Sequence, residues 1–255
     1  MKNLNHNFLA NIILCYETNI RIYFLFEFIQ NEDLFYHIQF YKKAQKEKIN
    51  EEKIKFFAAS IILALEYLHK NGITYRNFSP RNILINKEGY IKLTPFSFEQ
   101  FFCLKNIRNE KEIEKSEYTS PEAMNNEQKE SSDFWNLGII IFEMIYGIPP
   151  FYYCDYNNII NSELIFLKNV EISDNLKNLL EKLLQKNFEE RLGNDGDFNK
   201  IKNHDFFKDF NFDDLLNKKI ESPYKPVLED NFQNKFFEEK YNYEDLIKAE
   251  LIEIK

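Results

Sequence analysis

Cysteine is scarce in this chain and ill placed for pairing. Three occur among 255 residues, Cys15, Cys103 and Cys154, far apart and with no C-x-x-C. An odd, scattered set argues against a disulfide scaffold and a cysteine zinc site, and points to a reducing compartment. The four histidines, His6, His37, His69 and His204, show no metal-ligand spacing. Basic charge is also short: 33 Lys and Arg against 41 Asp and Glu leave a net charge of −8, with no basic stripe. That balance argues against a general role on nucleic acid or an anionic membrane. Uninterrupted hydrophobic runs are missing too. Residues 8–16, "FLANIILCY", have signal-peptide length but contain Asn11 and lack a small-residue cleavage site. Residues 134–153, "FWNLGIIIFEMIYGIPPFYY", approach a membrane span in length. Glu143 sits in their middle and Pro149-Pro150 ends the helix, so the run reads as a buried helix. No internal repeat occurs.

What is present is a globular balance. Hydrophobic residues at 44% and charged residues at 29% suit a folded chain, and 26 Phe with 15 Tyr supply a substantial core. The length fits one large domain or two small ones. Residues 9–29 read as two strands joined by the turn "TNI", and residues 33–46 as a short helix. The clearest helix is 51–70, where Ile54, Phe57, Ala58, Ile61, Leu65 and Leu68 recur at three- and four-residue steps. Asn50 suits its N-cap, two glutamates suit its positive start, and Asn71-Gly72 stops it. Short strands follow near 83–85 and 91–93 around the turn "NKEG", and 95–122 is polar and irregular. Ser131, Ser132 and Asp133 are cap candidates for a helix over 133–146, and another helix starts at Ser173. From about residue 203, Asn-, Lys- and aromatic-rich sequence with Pro223 and Pro226 reads as an extended tail.

The motifs in this series resemble those of protein kinases. "YRNFSPRN" resembles their H-R-D-L-x-x-x-N loop, "KLTPFSF" their K-L-x-D-F-G-F segment and "YTSPEAM" their A-P-E motif. "DFWNLGIIIFEMIYGIPPF" is similar to the D-x-W-x-x-G helix with its following P-P-F. "RLGNDGDFNKIKNHDFF" and "IESPYKPV" resemble the end of the large lobe and the early tail of the AGC group of serine/threonine kinases. The likeness runs from about residue 4 to 230. It implies an α+β, protein-kinase-like fold: a mainly α-helical large (C) lobe with only a remnant β-hairpin of the small lobe. The implied divisions are 1–29 for that remnant, 30–210 for the C-lobe and 211–255 for an AGC-like tail.

The resemblance also assigns positions, and there the chain departs. Asn77 stands at the catalytic-base position, where an amide can hold a hydroxyl but cannot take its proton at neutral pH. Losing a general base costs about 10² to 10⁴ in rate. Ser79 replaces the loop lysine that faces the transferring phosphate, and Arg81 reverses the charge of an acid that helps read basic substrates. Pro95 stands where the family binds metal through Asp, so Asn82 is left as the single metal candidate. Magnesium wants near-octahedral oxygens, usually with carboxylates. Ser97 replaces the glycine after Phe96. Glu27, Phe28 and Leu84 are the nucleotide-binding candidates, the first two through hinge backbone groups. Asp33 suits either a ribose or substrate contact or the start of a helix. Lys115 and Ser116 fill altered activation-segment positions, and Arg76, without its usual phosphothreonine, is expected to turn to Glu110 or Glu112.

No Gly-rich loop, V-A-I-K-like lysine or partner helix lies ahead of residue 9. Residues 9–29 are therefore expected to lean on the large lobe, to pair with another chain, or to belong to a longer native protein. Scaffold positions are kept: Glu122 with Arg191 as an ion pair, Asp133 as an acceptor of loop amides, Trp135 and Gly138 in packing, and Leu34, Leu84 and Phe96 at apolar spine positions. His69, near a helix end, reads as a solvated or capping residue. These losses and retentions point to a pseudokinase acting as a binding or regulatory module with protein partners. The alternative is an active ATP-dependent serine/threonine kinase whose N-terminal half is missing from this sequence. No cofactor is assigned; ATP and Mg2+ are expected if the family activity is retained. Neither nucleic acid nor membrane is expected as a partner, oligomeric state stays open, and the setting is intracellular, expected to be cytoplasmic.

Overall fold

The computed structural model describes residues 4–18, 22–30, 32–40, 49–76, 78–94, 116–125, 127, 129–151, 156–168 and 170–226. Its centre is the 20-residue helix Glu51–Lys70, labelled α2 after the shorter α1 (Leu34–Phe40). Asn50 caps α2 as its position predicts: the side-chain oxygen accepts the Lys53 amide at 3.0 Å. Gly72, with φ +70°, turns the chain away at the other end. The periodic positions mark one apolar face, but α2 is buried well beyond it. Phe56, Ala59, Ile62 and Leu63 are also in the core, because α2 is the axis around which the other elements pack. Its one buried hydroxyl, Ser60, donates to the Phe56 carbonyl at 2.8 Å, so burial leaves no orphan there.

Against α2 lie the strands β3 (Ile83–Ile85) and β4 (Ile91–Leu93), an antiparallel pair in the register Ile83↔Leu93 and Ile85↔Ile91. Two further segments flank them. Residues 8–10 run beside β4, with Ala10 N–H donating to the Leu93 carbonyl and Leu93 N–H to the Phe8 carbonyl, both at 2.8 Å. Asp33 bridges Leu84 on the opposite side. The N-terminal stretch thus leans on the large lobe, with Phe8, Leu9 and Ala10 buried. The hairpin that follows, β1 (Ile12–Glu17) and β2 (Ile22–Phe26), carries a register shift between Ile12 and Leu14. One of its faces presents Leu14, Tyr16, Tyr23 and Leu25, and all four are exposed.

Downstream come α3 (Pro121–Met124), α4 (Ser131–Tyr146), α5 (Asp174–Leu183), α6 (Phe198–Lys202) and α7 (Phe212–Leu216). All 16 residues of α4 are buried. Among the described residues no helix is long and apolar enough to cross a membrane. Two polar side chains of α4 meet Tyr118: Asn136 donates to its carbonyl at 2.6 Å and Glu143 accepts its hydroxyl at 2.8 Å, whereas Ser131 Oγ and Trp135 Nε1 are buried with no hydrogen-bond partner among the described residues. Gly138 allows the close approach of Leu184, whose side chain would lie 2.9 Å from a Cβ there. The helix starts two residues earlier than its sequence suggests. Its cap residue, Glu130, makes no side-chain cap bond, and the candidates Ser132 and Asp133 lie inside the helix with their oxygens on tertiary partners. Ser173 caps α5 as expected and also donates to Glu51, joining the starts of α5 and α2. The segment after 203 is not simply extended: it contains a 3-10 turn at Asp205–Phe207 and the helix α7, which packs on α2.

Candidate functional site

The chain between α2 and β3 is organised from beneath by one carboxylate. Asp133, fully buried in α4, accepts the backbone amides of Tyr75 and Arg76 and the ring Nε2–H of His69, each at 2.7 Å. The role expected of Asp133 is present. His69 is the correction: its side chain is 5% exposed and packs edge-on against Phe134 and Phe198. A histidine near a helix end reads as solvated from spacing alone, and the elements that bury it come from far along the chain. Arg76 is held at φ +59°, a left-handed conformation uncommon for a non-glycine residue. Tyr75 reaches the other way, its hydroxyl donating to the Thr94 carbonyl at 2.6 Å. Burial pushes that hydroxyl's pKa up, so it stays protonated. Phe78 is buried against Tyr75 with ring centroids 4.9 Å apart.

The predicted site residues fall into separate places. Asn82 closes the 3-10 turn Pro80–Asn82, and its carbonyl accepts both the amide and the hydroxyl of Thr94, at 3.0 and 3.1 Å. Leu84 is half-buried in β3, opposite Lys92 in register. Lys92, in β4, ties that strand to residues 9 and 27: its ammonium donates to Glu27 at 2.6 Å and to the Leu9 carbonyl at 3.1 Å. Glu27 also accepts the Asn11 amide at 3.0 Å. Leu84 and Glu27 therefore belong to one small constellation. Phe28, 81% exposed, stands outside it. Lys92 opens the KLTPFSF motif, but the pattern alone does not say that residues 8–10 cover this lysine. Asp33 accepts the Tyr36 amide at 2.7 Å, the helix-start reading. Burial raises its pKa despite that bond and the nearby Arg81 charge. Glu32 is raised by burial and by Asp33.

Asn77, Pro95, Phe96, Ser97, Glu110, Glu112 and Lys115 lie outside the described residues. At the two positions that the resemblance assigns to metal binding, the residue types are an amide at 82 and a proline at 95. An amide and a proline supply no carboxylate, so these two residue types do not fit a magnesium ion, which takes one or two carboxylates among its oxygen ligands. Among the described residues no cluster of three His, Cys, Asp or Glu side chains is placed to hold a metal.

The scaffold beneath is bound more firmly. Arg191 and Glu122 form a two-toothed pair, Nη1 to Oε1 at 2.6 Å and Nη2 to Oε2 at 2.8 Å. Arg191 further donates to the carbonyls of Ser131 and Gln185, and Ser132 donates to Glu122. Burial alone pushes the Glu122 carboxyl up, but Arg191's hydrogen bond and charge outweigh it and the net shift is downward.

Residues 1–207 match the family model described as the protein kinase domain. The chain is 39% identical over 235 residues to serine/threonine-protein kinase Sgk1-A of Xenopus laevis, covering 89% of this chain and 52% of that relative. It is 38% identical over 235 residues to Sgk1 of Homo sapiens, again covering 89% and 52%. With Sgk1 of Rattus norvegicus the identity is 37% over 253 residues, covering 96% and 56%. The chain thus spans about half the length of the curated relatives it matches.

Proposed function

The chain belongs to the protein kinase family, with a domain of the AGC serine/threonine type, and on that premise we propose that it is a pseudokinase: a binding or regulatory module for protein partners that transfers no phosphate. The observation that carries the reading is the pairing of Asn77 with Pro95. By resemblance these fall at the base and metal positions, and neither residue can supply the missing carboxylate. Phosphoryl transfer asks a protein mainly for positioning and charge neutralisation around the phosphates. Losing both groups removes the proton acceptor and the principal metal anchor together.

Retention of the supporting groups favours a folded module with a use. Asp133 still holds the loop amides and Arg191 still holds Glu122. An intracellular, cytoplasmic setting accords with the exposed free thiol of Cys15 and the absence of C-x-x-C.

The test is radiolabel transfer from ATP with magnesium, using the purified chain and a mixed peptide substrate. The expected result is no transfer above a no-protein control. Clear activity abolished by Asn77→Ala would overturn the reading. A parallel thermal-shift titration with ATP, with and without magnesium, reads nucleotide binding; a ligand at about 100 times its Kd adds about 2.7 kcal/mol. The expectation is no magnesium-dependent shift.

A further inference from the structure

Four of the seven prolines follow a hydroxyl residue: Ser79-Pro80, Thr94-Pro95, Ser120-Pro121 and Ser222-Pro223. Three of these hydroxyl residues border regular elements inside the lobe. Ser79 precedes the turn Pro80–Asn82, Thr94 follows β4, and Ser120 caps α3. Ser222 differs in two ways. It alone of the four has a base at the third position after it, in Ser222-Pro223-Tyr224-Lys225. It also lies in residues 220–226, which contain neither helix nor strand. That segment closes on the lobe through side chains: Tyr90 Oη donates to the Ile220 carbonyl at 2.6 Å, Ser222 Oγ donates to the Gly89 carbonyl at 2.8 Å, and the Tyr224 hydroxyl meets His37 Nδ1. The segment can therefore lift without unpairing a strand or unwinding a helix.

Ser222 is 4% exposed, and its oxygen is crowded. Besides the Gly89 carbonyl, it lies 3.0 Å from the Tyr224 carbonyl oxygen and accepts the Tyr224 amide at 3.1 Å. A Cβ on Gly89 would lie 2.6 Å from Oγ, so that side has no room for a further substituent. The hydroxyl fits because it brings a proton to the two carbonyls. A phosphate ester lacks that proton and turns anionic oxygens toward the same acceptors. Acidic neighbours add to the mismatch: Glu88 precedes Gly89 and Glu221 precedes Ser222. Of the nearby lysines, Lys225 is ion-paired with Glu221, and Lys53 lies over the Tyr224 ring, 5.9 Å from its centroid.

We propose that Ser222 is a phosphorylation site for a proline-directed kinase, and that phosphate there holds residues 220–226 off the lobe. The kinase acts on the lifted segment, an extended peptide with proline after the acceptor and an exposed lysine beyond it. Ser222 Oγ bonds to the γ-phosphorus of ATP as the bond from that phosphorus to the bridging oxygen breaks. ADP leaves with the bridging oxygen, and the hydroxyl proton passes to the kinase's base. Release takes the Tyr224 ring from its seat against Phe57 and His37. The site does not depend on whether this chain itself transfers phosphate.

The test incubates the full 255-residue chain with a cyclin-dependent kinase, ATP and magnesium, beside a control without the added kinase. Peptide mass spectrometry locates the phosphate, and limited chymotrypsin digestion reads cleavage after Tyr224. The expected result is kinase-dependent phosphate at Ser222. Cleavage should then be about tenfold faster, the worth of one or two lost hydrogen bonds when proteolysis samples the open form. Phosphatase should restore resistance. In Ser222→Ala, kinase treatment should leave the cleavage rate unchanged; each chain is its own reference, so loosening by the lost hydroxyl does not blur the comparison. No phosphate at Ser222 overturns the inference. So does phosphate there with unchanged or slower cleavage, the result of a lysine latching the segment down. An equal gain in Ser222→Ala, from phosphate at Ser79, Thr94 or Ser120, overturns it too. None of these outcomes bears on the pseudokinase reading, which rests on transfer by the chain alone.

Discussion

Asp133 shows how much a single buried charge can organise. Its carboxylate takes three donors from two stretches of chain, the end of α2 and residues 75–76. Asp133→Ala strands those donors, and the expected loss is roughly 3–5 kcal/mol in urea unfolding. Asp133→Asn should recover part of this, since it keeps one acceptor oxygen but turns an NH2 toward N–H groups. Hydrogen exchange at the Tyr75 and Arg76 amides should quicken in both variants. Residue-level reading from sequence worked where the position is carried by a motif, as for Asp133, Glu122 and Arg191. It missed the burial of His69 and of Lys92, although Lys92 opens the KLTPFSF motif. Neither has a local signature of burial, because each is covered by residues more than 60 positions away: Asp133 over one, Leu9 over the other.

At the scale of elements, the last described stretch, residues 220–226, behaves as a strap. Tyr90 donates its hydroxyl to the Ile220 carbonyl at 2.6 Å. Ser222 donates to the Gly89 carbonyl at 2.8 Å. Tyr224 is buried, its ring edge-on to Phe57 and its hydroxyl bonded to His37 in α1. The strap passes so near the β3–β4 turn that a Cβ on Gly89 would lie 1.9 Å from the Tyr224 carbonyl oxygen, at a φ of +87°. No rotamer change relieves a clash with backbone, so Gly89→Ala should lift the strap. The expected cost is about 1–3 kcal/mol, with new protease cleavage within 220–226. Tyr224→Phe, losing one hydrogen bond, should cost about 1 kcal/mol and leave the strap resistant. The long helices α2, α4 and α5 were legible because each repeats its period over several turns. The helix α7 was not: five residues are too few to show a period, and its place is set by packing on α2.

For the whole molecule, His37 and Glu122 are two of the groups that shape the acid response. Burial pulls the pKa of His37 from 6.5 down to about 4, so the folded protein keeps it neutral while the unfolded chain protonates it. Its contribution is complete above pH 6.5 and is lost as pH falls toward 4, up to roughly 3 kcal/mol. Glu122, held below its ordinary 4.5, adds a second loss at lower pH, as pH falls through its folded value. The unfolding midpoint should therefore fall in two stages on acidification. His37→Gln should shrink the upper stage without abolishing it, since burial also lowers the pKa of His6, to about 4, and that of His204, and Glu122→Gln should reduce the lower one at some cost in stability. The lobe architecture was foreseeable from motif order, and the strap's closure on α1 was not, because a Ser-Pro-Tyr sequence does not announce its partner. That closure joins residues 187 positions apart. A ribosome delivers His37 long before Tyr224, so during synthesis the histidine waits in water, and the lobe acquires its final seal only as the strap emerges.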